Sequence, residues 1–344
     1  MLIGIWVTKA CNLRCSYCYE GNDKKEIDMD RNTADQIINF IQENYSTNDN
    51  WSEDPLIIQF HGGEPLLNYD LITYITERLR LLFATYKKKV MFGITTNAVL
   101  LDKKKIEFLA ENMNYDFSIS IDGDKKVHDQ TRLFSNGTGS YDAIINKVNM
   151  TLEKRKNIRA RVTFGAQTVS HLFESIKHLI ELGFLVIVCI PDYFDKSWDE
   201  KHIDAYLDQL GLLKEYYLRN KLDEKNVEIP ILENNIFKKN KCSGGYSSIH
   251  IDPTGEIYPC SYVVGDTKYK IGSVHLGGIN NDYLADISRI NHCNMMECEG
   301  CNNYSSCLTV RCRYLNELLT DDGLCPSATI CAFENANYSF LKSV

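Results

Sequence analysis

The sequence holds no apolar run approaching the ~20 residues that a membrane-spanning helix needs, so no membrane partner is expected. Its opening residues, MLIGIWVTKACN, lack the basic stretch and long apolar segment of a secretory signal. Basic residues are in deficit: 38 Lys and Arg against 46 Asp and Glu leave a formal net charge of −8. That balance argues against a nucleic-acid partner. No solenoid-period repeat and no low-complexity tract is visible. These absences leave a cytoplasmic globular protein as the expectation. At 344 residues, 44% of them hydrophobic and 24% charged, the chain can form a sizeable core, or one large domain with a smaller one.

The 13 cysteines stand out against that background. Without an export signal, metal ligation or catalysis explains them better than disulfides do. They are unevenly spread: Cys11, Cys15 and Cys18 lie together, Cys189 stands alone, and nine fall between positions 242 and 331. Two separate metal regions are implied. Cys189 sits in the apolar run FLVIVCI and reads as a buried core residue.

The first half alternates strands and helices. Strands are expected at 2–8, 55–60, 90–95, 115–121, 158–164 and 184–190. Helical spacing appears at 30–45, where Ala34, Ile37, Ile38, Ile41 and Tyr45 share a face, and again near 69–83, 102–112, 140–155 and 169–182. Near-continuously apolar strands joined by helices imply a parallel sheet with right-handed crossovers. Such units make an open doubly wound sheet or a barrel short of the usual eight, with chemistry at the C-terminal strand ends. Residues 198–224 read as a longer charged helix leading to the second region. YSSIHIDPTGEIYPC (246–260) reads as a β-hairpin turned by Pro253–Gly255. Beyond it the apolar content is too low for a conventional core, and metal could substitute.

The C-x3-C-x2-C run of Cys11, Cys15 and Cys18 follows the first strand. Three thiolates on one loop suit three irons of a 4Fe–4S cluster and leave the fourth iron open. The same spacing also suits a partial zinc site with a further ligand elsewhere. With Tyr17 just before the last cysteine, HGGEP (61–65) after the second strand, TTNA (95–98) after the third and SISIDG (118–123) at the fourth, the chain resembles the radical S-adenosylmethionine (SAM) superfamily.

The resemblance implies a partial (β/α)6 TIM-like barrel, an α/β fold. It also implies reductive SAM cleavage to a 5′-deoxyadenosyl radical that abstracts a substrate hydrogen. Cys11, Cys15 and Cys18 would hold the cluster. Gly62, Gly63 and Glu64 would hold the methionine amino group, and Ser120 and Asn97 the ribose or carboxylate. Arg132 would pair with the carboxylate, a task suited to a guanidinium, or else be a solvated surface charge. Tyr17 would lie against the adenine or simply pack.

The C-terminal cysteines centre on CEGCNNYSSCLTVRC, preceded by GEIYPC. Read bare, they supply ligands for two four-coordinate sites, and zinc ribbons are one form of these. Beside the N-terminal half they resemble the SPASM extension, a small cysteine-rich α+β domain with two auxiliary clusters, which makes three 4Fe–4S clusters in all. The resemblance assigns Cys242, Cys260 and Cys312 to one auxiliary cluster, and Cys298, Cys301, Cys307 and Cys325 to the other. The first would then have three protein ligands and one open iron, which could bind a substrate thiolate, unless Cys293 or Cys331 completes it. The implied domains are a core over 1–190, a helical bridge over 191–240 and the SPASM domain over 241–344.

SPASM-bearing enzymes act mostly on peptides or proteins. The resemblance therefore implies a maturase of ribosomally made peptides that installs a thioether, C–C or C–O cross-link. The alternatives are an anaerobic sulfatase-maturing enzyme that makes formylglycine, a small-molecule dehydrogenase of the same family, or a non-catalytic Fe–S or zinc scaffold. Sulfatase-maturing enzymes carry an aspartate base directly after the GEIYPC-type cysteine. Here Ser261 stands there, and a serine hydroxyl is a poor proton acceptor. Expected partners are the peptide, a separate leader-binding protein, and a reductant such as flavodoxin or ferredoxin. The hairpin at 246–260 offers an edge to which an extended peptide could add as a strand.

Overall fold

The computed structural model describes residues 1–21, 26–47, 51, 55–233, 242, 244–280, 282, 284–285 and 295–343. Cys293 and the bridge residues 234–240 lie outside the described residues. The elements run β1 (Leu2–Thr8), α1 (Arg31–Thr47), β2 (Leu56–Gly62), α2 (Tyr69–Thr85), β3 (Val90–Thr96), α3 (Lys103–Asn112), β4 (Asp116–Ser120), α4 (Lys125–Thr131) and α5 (Tyr141–Lys154). There follow β5 (Arg159–Phe164), α6 (Leu172–Leu182), β6 (Val186–Pro191), α7 (Glu200–Arg219), β7 (Ser248–Ile251), β8 (Glu256–Tyr258), β9 (Gly272–Ser273) and β10 (Gly278–Ile279). Three helices close the chain: α8 (Leu308–Arg311), α9 (Arg313–Thr320) and α10 (Ala328–Ser343). The expected strands and helices all appear, with ends moved by a few residues. The result is a mixed α/β fold whose parallel sheet does not close, as in a partial barrel.

Contacts divide the chain into two compact units. One comprises Met1–Arg14, Glu20–Ser118 and Ser243–Ser288; the other comprises Cys15–Tyr19, Ile119–Cys242 and Arg289–Val344. In the first, β1 pairs in parallel with β2 on one side and β7 on the other, and β2 pairs in parallel with β3. Register places Ile3 beside Ile58 and Ile249, and Ile5 beside Phe60 and Ile251, all fully buried on one sheet face. The period of two puts Gly4, Trp6, Gln59, His61 and His250 on the opposite face. Asp30 caps the start of α1 by accepting from the Thr33 amide at 2.7 Å. Ala34, Ile37, Ile38 and Ile41 form the buried stripe that the spacing predicts.

The hairpin of β7 and β8 corrects one expectation. Its outer edges are already paired, β7 with β1 and β8 antiparallel with β9, and β9 pairs with β10. No edge of the hairpin is left for an incoming peptide.

In the second unit, β5 and β6 pair in parallel along their length. The helix α6 ends at Gly183, whose φ of +101° gives the left-handed cap that favours glycine. Asp199 caps α7 in a reciprocal box with His202. The helix α4 was not expected from the sequence. It is 7 residues long, too short for a periodic stripe, and its local signal is Asp124, which accepts from the Val127 amide.

Candidate functional site

The site begins where β1 ends. The amides of Gly63 and Glu64 donate to the carbonyls of Thr8 (3.3 Å) and Ala10 (2.9 Å), which fastens the HGGEP turn to the start of the cysteine loop. The approach is too close for side chains. Gly62 has φ +152°, and a Cβ there would stand 2.5 Å from the Thr8 carbonyl oxygen. A Cβ on Gly63 would stand 2.5 Å from the Ala10 oxygen and 2.9 Å from the Cys11 Cβ. On the same loop the Cys11 Sγ accepts from the Leu13 amide at 3.5 Å.

Glu64 is buried and its carboxylate is committed inside the fold. Oε1 accepts from Thr96 Oγ1 at 2.7 Å and the Leu66 amide at 3.1 Å, and Oε2 accepts from the Asn97 amide at 2.7 Å. Asn97 in turn donates from Nδ2 to Asn12 Oδ1 at 2.8 Å and accepts from the Val99 amide at 3.0 Å. Thus Gly62, Gly63, Glu64, Asn97 and Cys11 are assembled at the ends of β1, β2 and β3. Glu64 and Asn97 serve there as the ties between strand ends.

In the second unit, Cys15 and Cys18 share a turn in which the Cys18 amide donates to the Cys15 carbonyl at 3.1 Å. The Ser16 amide donates to the Thr131 carbonyl at 2.9 Å, which anchors that turn to α4. Beside it lies a buried group that the sequence reading did not foresee, built on Asp122 of the SISIDG run. Asp122 Oδ2 accepts from Arg132 Nε (2.9 Å), Thr131 Oγ1 (3.2 Å) and the Tyr17 hydroxyl, and Oδ1 accepts from the Thr163 amide (3.0 Å). The Arg132 guanidinium lies over the Tyr17 ring, 5.3 Å from its centroid, and its Nη1 is 4.0 Å from Cys15 Sγ.

Burial works against the Arg132 charge, but Asp122, Tyr17 and Cys15 together outweigh it and raise the pKa. Burial likewise lifts Tyr17 well above the usual phenol range, so its hydroxyl remains a donor. Arg132 is therefore buried and paired, not a solvated surface charge. Ser120 ends β4, half-buried.

His128 supports Asp122 from α4. The Asp122 amide donates to His128 Nδ1 at 3.4 Å, so the ring proton sits on Nε2, 2.9 Å from Ser140 Oγ. Burial depresses the pKa of this imidazole to about 4. Its folded pKa lies below the unfolded value of about 6.5. The stability it contributes is complete above pH 6.5, falls with pH, and is lost as pH drops through 4. Between pH 7 and pH 4, denaturant titrations should show a loss of stability that is smaller in a His128→Asn variant than in wild type by about 3 kcal/mol, the buried His250 contributing to the loss in both.

The C-terminal cysteines form two groupings within the second unit. Burial raises the Cys312 thiol, and neighbouring Cys242 raises it further. Cys298 is raised by burial, then by Cys331 and Cys301. Cys307 is pushed up to about 11, chiefly by burial, with Glu334 and Cys331 adding to it. Cys331 therefore lies among the thiols of the second expected set, a placement the sequence spacing did not suggest. Asn303, inside the Cys301–Cys307 loop, donates to the Glu334 carbonyl (3.2 Å) and to Asn335 Oδ1 (3.1 Å), docking that loop on α10. Asn335 Nδ2 donates to Cys331 Sγ at 3.5 Å. Cys325 precedes α10, with Sγ 4.0 Å from the Pro326 carbonyl.

Cys260 belongs to the first unit, at the start of the short turn Ser261–Val263. Cys189 is half-buried on β6 and not sealed in the core; burial raises its thiol, so it stays protonated.

Among the described residues no three His, Cys, Asp or Glu side chains are gathered as ligands of one ion. In an iron–sulfur cluster each thiolate takes its own iron, so such ligands need not converge on a point. The N-terminal residues fit a cluster that keeps an open iron. One loop carries three thiols, and its start lies against a glycine turn that a single Cβ would obstruct.

A sequence profile of the radical SAM superfamily matches residues 5–205. The chain belongs to the radical SAM superfamily. A cysteine-type anaerobic sulfatase-maturating enzyme of Clostridium novyi is 25% identical, over 86% of this chain and 83% of its own. The radical SAM cyclopropyl synthase TigE of Paramaledivibacter caminithermalis is 25% identical, over 94% of this chain and 71% of its own. Among solved structures, anSMEcpe with bound AdoMet superposes with a TM-score of 0.80 at 18% identity, covering 99% of this chain and 97% of that one. The same protein has been solved with a Cp18Cys peptide. This radical SAM protein is thus an enzyme of a family that binds SAM and an iron–sulfur cluster, which sets aside the non-catalytic scaffold.

Proposed function

We propose that this radical SAM enzyme modifies a ribosomally made peptide by installing a cross-link: a thioether, a carbon–carbon or a carbon–oxygen bond. The observation that carries the reading is the joined turn and cysteine loop at the strand ends, where Gly62 and Gly63 lie against Thr8, Ala10 and Cys11. Cys11, Cys15 and Cys18 would hold a 4Fe–4S cluster, which when bound and reduced would supply the electron for reductive cleavage of SAM. The backbone at Gly62–Glu64 binds the methionine end, and Ser120 and Asn97 lie toward the ribose or carboxylate. Arg132, fixed by Asp122, keeps a positive charge beside Cys15 and the SAM carboxylate. Tyr17, packed under Arg132, borders the adenine.

In this reading 1–190 is the core domain, 191–240 the bridge and 241–344 the SPASM domain. The two auxiliary clusters take Cys242, Cys260 and Cys312, and Cys298, Cys301, Cys307 and Cys325, with Cys331 placed among the latter set. Held there, they would supply an acceptor for the substrate electron or an iron for a substrate thiolate. A separate protein reads the leader, and flavodoxin or ferredoxin delivers electrons in the cytoplasm. Peptide as the substrate class is supported by the relatives TigE and the sulfatase-maturating enzyme, and by the peptide bound in anSMEcpe.

Formylglycine formation on a sulfatase is the second reading, favoured by the similarity to the Clostridium novyi enzyme. Ser261 in place of a carboxylate counts against it. Mass spectrometry separates the two. The enzyme is co-expressed anaerobically with a candidate peptide, which is then alkylated. Loss of two hydrogens with loss of one alkylatable thiol means a thioether; loss of two hydrogens with every thiol retained means a C–C or C–O link. An aldehyde trapped by hydrazine means formylglycine, and an unchanged peptide contradicts both readings.

A further inference from the structure

The sheet face opposite the aliphatic core carries a feature that the cofactor site does not use. Register sets His250, Gly4 and Gln59 side by side across β7, β1 and β2, with Trp6 and His61 two residues nearer the C-terminal strand ends. Trp6 stacks on His61 with centroids 5.6 Å apart and planes 20° apart, and the His61 ring is 5.4 Å from that of His250. The row ends beside Thr8 and Gly62, where the HGGEP turn meets the cysteine loop.

His250 is placed at the expense of a hydrogen bond. A Cβ on Gly4 would stand 2.1 Å from His250 Nδ1, 2.7 Å from Cε1 and 3.0 Å from Cγ, so that edge of the imidazole lies flat over Gly4. Only glycine admits the ring there. Nδ1 is buried with no hydrogen-bond partner among the described residues. A proton on Nδ1 would be an orphaned donor, so the ring proton belongs on Nε2, at the far edge that points away from Gly4. Burial, with His61 adding to it, depresses the pKa of His250 to about 3, which keeps the ring neutral. An apolar ring of similar shape would fill the space without burying a bare nitrogen. A residue that is a liability to the fold, in a row of rings that leads to the strand ends, is the pattern expected of a binding residue.

We propose that His250, with His61 packed against it by Trp6, forms a substrate-positioning site whose Nε2–H donates to a carbonyl oxygen of the peptide next to the residue being modified. The inference rests on the peptide reading above and assigns it a contact. His250 acts here by holding the peptide, not by exchanging protons.

The test compares wild type with His250→Phe, which keeps a ring over Gly4, and His250→Gln, whose side-chain amide restores a donor near the Nε2 position. Each is assayed anaerobically with a synthetic peptide pool carrying one central cysteine between randomised flanks. The expected result for His250→Phe is a melting temperature equal to or above wild type and a KM for peptide raised about tenfold. A smaller change in kcat and a KM largely restored in His250→Gln complete the pattern. A melting temperature lowered by several degrees in His250→Phe would make the imidazole structural and overturn the proposal. With a wild type that responds to peptide, an unchanged KM in His250→Phe would overturn this site alone; a wild type that responds to no peptide, with or without its leader segment and leader-binding protein, would overturn the peptide reading with it.

Discussion

Replacing Cys11 by alanine is expected to reduce 5′-deoxyadenosine formation to background and to remove about four irons per chain from the anaerobically reconstituted enzyme. The thiol is half-buried on a loop, so its loss as a side chain should cost the apo fold little. In the proposed ligand set, its loss would leave two thiolates, from Cys15 and Cys18, to hold a cluster with one iron already open. The two readouts belong together. Retained iron with lost activity would mean that the triad positions SAM without holding the cluster. Retained product formation would place the cluster elsewhere.

Arg132→Ala is the second large effect. Arg132 and Asp122 are a buried pair, and removing the guanidinium strands the Asp122 carboxylate among donors from Thr131, Tyr17 and the Thr163 amide. Breaking a buried pair from one side costs about 3–5 kcal/mol, because an uncompensated charge remains. For a chain of this size that corresponds to a fall in melting temperature of roughly 4–7 °C. The double variant Arg132→Ala/Asp122→Asn should recover part of the loss, since the stranded charge is gone. Arg132→Ala should also weaken SAM binding, because the cation 4.0 Å from Cys15 Sγ disappears. A melting temperature within a degree of wild type would show that the pair is not buried as described.

The sequence spoke most clearly where local pattern and long-range order agree. The six strands of the first half were legible because each is a short apolar run followed by an amphipathic helix, and the cofactor turns were legible because glycines and cysteines mark them. The parallel pairing of β7 with β1 was not legible, since it joins residues about 245 positions apart and nothing within SIHI specifies its partner. For the same reason the hairpin was expected to present a free edge, which β1 and β9 in fact occupy. Asp122 stood in plain view within SISIDG, but its role depends on Arg132 and Tyr17 arriving from elsewhere in the chain. Whether Cys331 completes the first auxiliary set is open from the sequence; α10 carries it among Cys298 and Cys307, a consequence of helix packing that spacing does not encode. The Gly4–His250 contact was invisible for a related reason: a glycine in a strand is informative only once its neighbour's side chain is known to lie over it.

The most direct measurement follows the hydrogen. A peptide that the enzyme modifies is synthesised with its carbon-bound hydrogens replaced by deuterium at the acceptor residue, and the 5′-deoxyadenosine formed is analysed by mass spectrometry. The account predicts one deuterium in the 5′-deoxyadenosine, matched in amount by modified peptide that has lost it. Unlabelled 5′-deoxyadenosine formed at the same rate with and without the peptide would contradict the claim that this enzyme abstracts hydrogen from a peptide.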